Sequence, residues 1–127
     1  MNGNKNQTSP FLSDYKTAYG ISKITNGLET IRQLEPKKYK KTSYIADAII
    51  DDMWNWEAGL IGQDVKEIPE LSCFVKGGDD VGGEQEPHYV LYRDIFTYLI
   101  SAIKEMDSIM NEQNGRIVAL EAKLAAI

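Results

Sequence analysis

The last third of the chain carries the clearest pattern of hydrophobic and polar positions. From Phe96 onward, apolar residues recur alternately three and four positions apart, which is the heptad spacing of a coiled coil. The series is Phe96, Leu99, Ile103, Met106, Met110, Gln113, Ile117, Leu120, Leu124 and Ile127. It predicts a coiled-coil helix over residues 98–127, about 45 Å long at 1.5 Å per residue. A domain of this size cannot cover such a helix, so we expect it to pack against copies of itself.

Two residues set this predicted helix apart from a uniform coiled coil. Gln113 is the one polar residue in the series, and a buried amide there is better suited to fixing register and chain number than to adding stability. Gly115 costs about 1 kcal/mol of helix propensity relative to alanine. The helix therefore has a local weak point beside its polar layer.

Shorter patterns precede the helix. Leu28, Ile31 and Leu34 recur at spacings of three before a proline, which predicts a short helix. The lysine-rich stretch "PKKYKKTSY" that follows predicts an edge strand, because outward lysines discourage strand-to-strand aggregation.

Between residues 43 and 59 the spacing is that of a second amphipathic helix, with Ser43 as its cap and Gly59 at its end. Its apolar residues are Ile45, Ile49, Met53 and Trp56.

The remaining segments are short. The stretches "YKTAYGISKI" and "LSCFV" predict strands, and "GQDVKEIPEL" predicts a turn of helix ended by proline. "HYVLYRD" predicts the strand that returns after the glycine-rich acidic loop "KGGDDVGGEQEP". Short strands and short helices followed by one long helix indicate an α+β fold.

Composition and charge narrow the function classes. The 127 residues fit one domain, and 43% hydrophobic with 26% charged residues is close to the average of globular proteins. The net charge of −5 disfavours binding to nucleic acids and to anionic membranes. No apolar run approaches the ~18 residues of a membrane span, so we expect a soluble cytoplasmic protein.

The segment "NQTSPFLSDYKTAYG" near the start contains a candidate nucleophile. Residues 1–12 are mostly polar and predict a leader or the end of an upstream region, with the domain itself at 13–127. Ser13 and Asp14 follow, with Lys16 close by. A lysine serves as base for a serine only if burial or neighbouring cations lower its pKa from about 10.4; otherwise Ser13 and Asp14 form an ordinary turn or cap.

The sequence context of the other reactive side chains favours structural roles for them. His88 is the only histidine, which excludes a multi-histidine metal site, and we expect neither a metal nor a cofactor. The acidic loop lacks the spacing of a calcium site. The lysines around Tyr39 indicate either a solvated face or an anion-binding surface, with the solvated face favoured. Cys73 is expected to be a buried, inert thiol.

Several of these stretches together resemble one family. "SDYKT" followed by "NGLETIRQLEP", then "GLIGQDVKEIPEL", then "HYVLYRDIFTYLISAIKEM" is similar to the C-terminal intramolecular chaperone and auto-processing domain of phage tail spikes, tail fibres and neck appendages. The likeness covers about residues 13–127, and the order and the middle stretch are its specific parts. Within the family, the neck-appendage branch is the favoured relation.

The resemblance implies a homotrimer formed through the C-terminal helices. Such a domain guides an upstream β-helical stalk of the same polypeptide into a trimer, in the host cytoplasm during phage assembly, and then removes itself. The cut would fall between Leu12 and Ser13, with Ser13 as nucleophile, Lys16 as base and Asp14 as an orienting residue.

One departure from the family pattern keeps alternatives open. The family usually places its lysine five residues after the serine, whereas Lys16 lies three after it and Ala18 occupies the fifth position; Lys23 is a further candidate base. The alternatives are a permanent trimerisation or adaptor domain that never cuts itself, and an acidic dimeric coiled-coil protein.

Overall fold

The structure, a computed structural model, describes residues 12–42 and 54–127. It consists of short helices and strands followed by one long helix, so the predicted α+β class is confirmed. The elements are α1 (Gly27–Ile31), β1 (Lys37–Thr42), β2 (Trp54–Gly59), α2 (Gly62–Lys66), a 3₁₀ helix (Ser72–Phe74), β3 (Val75–Gly77), β4 (Asp80–Val81), β5 (Glu84–Gln85), β6 (His88–Val90) and α3 (Tyr92–Ala125).

The strands pair in three antiparallel two-stranded sheets. β1 pairs with β2, β3 pairs with β6, and β4 pairs with β5 at the far end of the β3–β6 hairpin. Gly82 and Gly83 form the tip between β4 and β5, with φ angles of 61° and 86° that L side chains rarely adopt. The predicted acidic loop is therefore a hairpin that turns on two glycines.

The core lies where α2 and the turns after it meet the first turns of α3. Backbone hydrogen bonds from Ile68 to Val65, Leu71 to Ile68 and Phe74 to Leu71 form a series of tight turns. These turns direct apolar side chains at spacings of three toward α3. The buried cluster is Val65, Ile68, Leu71, Val75, Ile95 and Tyr98.

Helix α1 packs directly against α3 through a glycine. A Cβ atom built on Gly27 would lie 2.5 Å from the side chain of Ser101 and 2.7 Å from the backbone nitrogen of Ala102. Only a residue without a side chain allows this close approach. The predicted helix at Leu28, Ile31 and Leu34 is confirmed as α1, although Leu34 lies after its last turn.

Two predicted strands are corrected. "YKTAYGISKI" contains no strand: residues 15–17 form a turn and residues 18–26 have no regular hydrogen-bonded structure. Its aromatic residues favour strands, but within the described chain no neighbouring strand pairs with it. In "LSCFV" only Val75 begins a strand, because Ser72–Phe74 forms a 3₁₀ turn that brings Phe74 against Tyr98.

The predicted helix between residues 43 and 59 is wrong where it is described. Trp54–Gly59 is strand β2, whose Trp56 pairs with Lys40 of β1. Pairing with the lysine-rich strand outweighs the helical spacing, because it places lysine ammonium groups over the tryptophan rings. The other residues of that prediction, Ser43, Ile45, Ile49 and Met53, lie outside the described residues.

The C-terminal helix is longer than its apolar series predicted. It begins at Tyr92 and ends at Ala125, so its 34 residues span about 50 Å. Ile127, the last residue of the heptad series, lies beyond the helix. The predicted edge strand at the lysines is confirmed as β1.

Candidate functional site

The segment that carries the candidate nucleophile lies on the surface. Every residue from Leu12 to Lys23 is exposed, including large apolar side chains that a folded chain normally covers. Leu12 is 70% exposed, Tyr15 85% and Tyr19 97%. The bond between Leu12 and Ser13 is thus accessible to water and to other chains.

A small hydrogen-bonded turn begins at Asp14. Its carboxylate Oδ1 accepts a hydrogen bond from the backbone N–H of Lys16 at 2.9 Å. Its carbonyl oxygen accepts from the backbone N–H and from the hydroxyl of Thr17, both at 2.9 Å. Asp14 therefore stabilises an Asx turn directly after Ser13, which agrees with the turn that the sequence left open.

The structure places Ser13 directly before the turn that contains Lys16, without joining the two side chains. In the described part of the chain, no hydrogen bond links the Ser13 hydroxyl to the Lys16 ammonium group, and Lys16 is exposed. A shallow cleft of about 660 Å³ adjoins this turn. Its lining residues are Leu12, Ser13, Asp14, Tyr15, Thr17, Ala18 and Ile21.

The segment is fastened to α3 just after its exposed part. The Ser101 hydroxyl donates a hydrogen bond to the carbonyl oxygen of Ile24 at 3.0 Å. The backbone N–H of Leu28 donates to the Glu105 carboxylate at 3.5 Å. These two contacts fix where the exposed segment joins the body of the domain, by which we mean the described residues from Ile24 to Val90. Sequence reasoning missed both α3 residues, Ser101 and Glu105.

A pair of tyrosine hydroxyls meets over Gly59, the first residue of "GLIGQDV". A Cβ atom on Gly59 would lie 2.5 Å from the Tyr92 hydroxyl and 3.0 Å from the Tyr39 hydroxyl. The Tyr92 hydroxyl accepts from the backbone N–H of Leu60 at 2.8 Å and donates to its carbonyl at 3.3 Å. Gly59 thus lets the start of α3 bond to the end of β2.

The second tyrosine of this pair is strongly perturbed. The Tyr39 hydroxyl donates a 2.6 Å hydrogen bond to the Glu57 carboxylate. This bond, with desolvation, raises the pKa of Tyr39 to about 12. The same bond, together with Lys41 at 3.5 Å, lowers the pKa of Glu57. The phenol therefore remains protonated at neutral pH and acts as a hydrogen-bond donor.

All four lysines of β1 have partners within the chain. Lys37 forms an ion pair with Asp64 at 2.7 Å, which raises the pKa of the lysine. Lys41 pairs with Glu57, while Lys38 lies 4.7 Å from the ring centroid of Trp56 and Lys40 lies 4.5 Å from that of Trp54. The preferred interpretation, a solvated structural face, fits these contacts.

Helix α3 carries two apolar faces, of which the first is confined to its first four turns. One is covered by the body of the domain through Ile95, Tyr98 and Ala102, which are 4%, 8% and 3% exposed. The other is the predicted seam, which no residue of the described ranges covers. Its exposed residues are Phe96, Leu99, Ile103, Met106, Met110, Gln113, Ile117, Leu120 and Leu124.

Two other predictions concern single reactive residues. His88 is half-buried in β6 and packs close to Gly62 and Gly78, which agrees with a structural role. The prediction for Cys73 is wrong: the thiol is exposed, because Cys73 lies in the 3₁₀ turn and not in a buried strand.

Residues 12–42 and 54–127 contain neither a candidate metal site nor a candidate membrane-spanning helix. No three His, Cys, Asp or Glu side chains in those ranges lie close enough together to hold a metal ion. None of the helices in those ranges has the length and apolar character needed to span a membrane.

Comparison with known protein families identifies the chain. A family model described as chaperone of endosialidase matches residues 13–76, just over half of the chain. The chain belongs to the endosialidase-chaperone family. No curated protein matches it. Membership supports the role of an intramolecular chaperone in phage tail fibre or appendage assembly, associated with an upstream fibre domain and with other copies of itself.

The family match covers only the first part of this endosialidase-chaperone domain. The matched region begins at Ser13, the residue that the sequence analysis placed at the start of the domain. It ends at Lys76, so it contains α1, β1, β2 and α2 and stops before α3. The family label also names a peptidase, which raises the question of a self-cutting reaction at this boundary.

Proposed function

We propose that this endosialidase-chaperone domain trimerises through α3, assists the folding of an upstream β-helical stalk, and then releases itself by cleaving the bond between Leu12 and Ser13. The domain would comprise residues 13–127. The observation that carries the trimer is the uncovered seam of α3, and the observation that supports the cut is the family boundary at Ser13.

The seam favours association because it is both long and exposed. An isolated helix in water is marginal unless tertiary contacts bury one of its faces. Burying a stripe of aliphatic side chains spaced by three and four residues is what coiled-coil formation accomplishes. Gln113 then forms the single polar layer that would select register and chain number.

Charges beside the seam support a parallel arrangement. With Phe96 at position a of the heptad, Arg116 falls at position g and Glu121 at the position e that follows it. In parallel coiled coils, a g residue of one helix faces an e residue of its neighbour, and opposite charges there set partner and orientation. A parallel trimer places the three exposed Ser13 segments at one end.

Trimerisation first would speed the folding of an upstream stalk. Strands from three chains must meet in register, and such long-range pairing loses chain entropy before contacts form. A C-terminal coiled coil holds the chains at high effective concentration and makes that step nearly intramolecular. Cleavage afterwards would remove the reverse path and trap the trimer kinetically.

The proposed cut uses Ser13 as the nucleophile on the carbonyl before it. The Ser13 oxygen attacks the Leu12 carbonyl carbon while Lys16 accepts the hydroxyl proton, and the C–N bond breaks as the Ser13 nitrogen takes up a proton. Water then hydrolyses the resulting ester, which leaves a Leu12 carboxylate and a free Ser13 amine. Asp14 holds the turn that presents the bond.

The role of Lys16 requires a change of environment. An exposed lysine amine is protonated at neutral pH and cannot accept a proton. Burial lowers the pKa of a lysine because it disfavours the charged form. We therefore assign the activation of Lys16 to the trimer, in which neighbouring chains cover the segment that is exposed here.

A second candidate function is a permanent trimerisation domain without proteolysis. The specific observation in its favour is that no hydrogen bond of the described chain links Ser13 to Lys16. Their spacing is also shorter than in the family pattern. In that case the turn at Asp14 is only a connection to the upstream chain.

The deciding experiment is the intact mass of the domain expressed behind a stretch of its native upstream stalk. Ser13→Ala and Lys16→Ala variants accompany it, with Lys23→Ala as the matched lysine control. Self-cleavage predicts loss of all residues before Ser13 in the parent and in the Lys23→Ala variant, and full mass in the other two. An uncut parent supports the permanent trimer, and cleavage of the Ser13→Ala variant at the same bond refutes the role of Ser13.

A further inference from the structure

An open apolar groove lies beside the first turns of α3. Its volume is about 460 Å³. Side chains of α1, of the loop before β1, of the chain after β2 and of α3 line it. They include Ile31, Leu34, Pro36, Leu60, Phe96 and Leu99. An open groove lined by aliphatic and aromatic side chains is a surface that favours an apolar occupant.

The groove is continuous with the exposed seam. Phe96 and Leu99 belong to both, so any helix that covers the seam at this level must also lie against the groove. This continuity identifies the occupant as a second copy of the chain, because the proposed trimer places its neighbour there. The inference thus rests on the proposed trimer.

The heptad register identifies the side chain that would enter the groove of the neighbouring copy. Ile95 occupies position g, is 4% exposed and lines the groove. Ile100 occupies the following position e, on the opposite side of the seam, and is 46% exposed. Parallel coiled coils bring position g of one helix against position e of the next, so Ile95 of each copy faces Ile100 of its neighbour.

We propose that in the trimer Ile100 of each copy inserts into the groove of the neighbouring copy, against Ile31, Leu34 and Leu60. The contact is heterologous and closes into a ring after three copies. The interface therefore extends beyond the coiled-coil seam to the folded bodies of the domains.

This contact gives the bodies a defined arrangement around the axis. A coiled-coil seam alone joins helices, whereas a side chain held in the neighbour's body also fixes how each body is rotated relative to the next. The Ile24 and Leu28 contacts to α3 connect that body to the segment carrying Ser13. Ile100 thus acts as a positioning residue for the exposed segments at the head of the trimer.

The first test compares Ile100→Ser with Val118→Ser by sedimentation equilibrium. Val118 is 58% exposed and lies on α3 outside both the seam and position e, so it controls for loss of an exposed β-branched residue. Each trimer contains three Ile100 contacts, each contributing about fivefold, so Ile100→Ser should weaken the trimer by about 100-fold. Val118→Ser should change it less than threefold.

The second test locates the contact. In a Cys73→Ser background, which removes the exposed native thiol, Pro36→Cys and Ile100→Cys are combined and treated with a short bis-maleimide. The proposal predicts covalent dimers and trimers on a denaturing gel. Pro36→Cys combined with Val118→Cys is the matched control and should remain monomeric.

The outcomes distinguish a failure of the proposed groove contact from a failure of the proposed trimer. A trimeric parent in which Ile100→Ser and Val118→Ser behave alike, and in which the Pro36 and Ile100 cysteines do not join chains, overturns the groove contact and leaves the proposed trimer intact. A parent that sediments as a monomer or dimer overturns both.

Discussion

The two halves of α3 differ in what covers them. From Tyr92 to Glu105 the helix has the body of the domain on one side, where Ile95, Tyr98 and Ala102 are buried. From Met106 to its end every residue is exposed. The same helix is thus an element of the core in its first half and an uncovered apolar stripe in its second.

This contrast indicates that contacts within the described chain stabilise the first half of α3 and not the second. The first half obtains its stability from contacts within the chain. The second half has the apolar stripe of a packed helix, but no described residue packs on it, and most helical stability in proteins comes from such packing. The stability of the second half is therefore expected to depend more strongly on protein concentration than the stability of the body.

The largest effect is expected from a charge placed in the seam of the second half. Ile117→Asp should weaken the trimer by at least 1,000-fold and lower the helix content, because three carboxylates would be buried together at the axis. Val118→Asp is the matched control, since the two residues are adjacent and 54% and 58% exposed. Sedimentation and far-UV circular dichroism measure both. Equal losses in the two variants would show that the seam is not the interface.

Two glycine-to-alanine substitutions should change the free energy of unfolding in opposite directions. Gly27 packs against the first half of α3, and Gly115 lies within the second half. Gly27→Ala forces a Cβ atom against Ser101 and the backbone of Ala102, so it should destabilise the body by about 1–3 kcal/mol. Gly115 has no heavy atom within 4 Å of the position of an added Cβ, so Gly115→Ala should stabilise the helix by about 1 kcal/mol. Denaturant unfolding measures both changes. A stabilising Gly27→Ala would contradict the close packing of α1 on α3.

Removing the Tyr92 hydroxyl should weaken the contact between the start of α3 and the chain after β2. Tyr92→Phe loses the hydrogen bonds to the backbone of Leu60, and we expect about 1 kcal/mol of destabilisation. Tyr89→Phe removes a comparable hydroxyl that makes no hydrogen bond within the described chain, and should change stability by less than about 0.5 kcal/mol. Thermal unfolding of the body distinguishes them, and equal stabilities would refute the role of the Tyr92 hydroxyl.

The smallest effect concerns pH and is confined to the body. The pKa of Tyr39 is raised to about 12 in the folded state by its bond to Glu57, above the unfolded value near 10. Its contribution to stability is therefore fully present below about pH 10 and is lost as pH rises toward 12. The difference in unfolding midpoint between the parent and Tyr39→Phe should be constant from pH 7 to 9 and shrink by pH 11. A difference that does not shrink would contradict the raised pKa.

Sequence patterns predicted the elements that are determined by residues close together in the chain. The alternating spacing of apolar residues predicted α3, and the lysine run predicted the edge strand β1. The glycine-rich acidic stretch predicted a hairpin tip, which the structure places at Gly82 and Gly83 after the short strand β4. Each of these follows from side-chain periodicity or backbone conformation within a few residues.

The predictions that failed depended on partners distant in sequence. Trp56 has helical spacing, but it lies in β2 because residues 38 and 40 lie on the adjacent strand. The stretch after Ser13 has the residues of a strand, but no strand of the described chain lies beside it. At the candidate site, the sequence pointed to the turn at Asp14, which lies directly after Ser13. The anchors of this segment on α3, Ser101 and Glu105, carry no local signal.

The amino-acid sequence by itself therefore determined that the chain ends in a long amphipathic helix, that the helix has a seam, and which family its motifs resemble. Those properties lie in the order and spacing of neighbouring residues. Only the tertiary structure decided which face of α3 the body covers, because contacts such as Gly27 to Ser101 join residues far apart in the chain. Among the described residues, the same packing left the seam and the Ser13 segment exposed, because the elements that pack on α3 contact only one face of the helix.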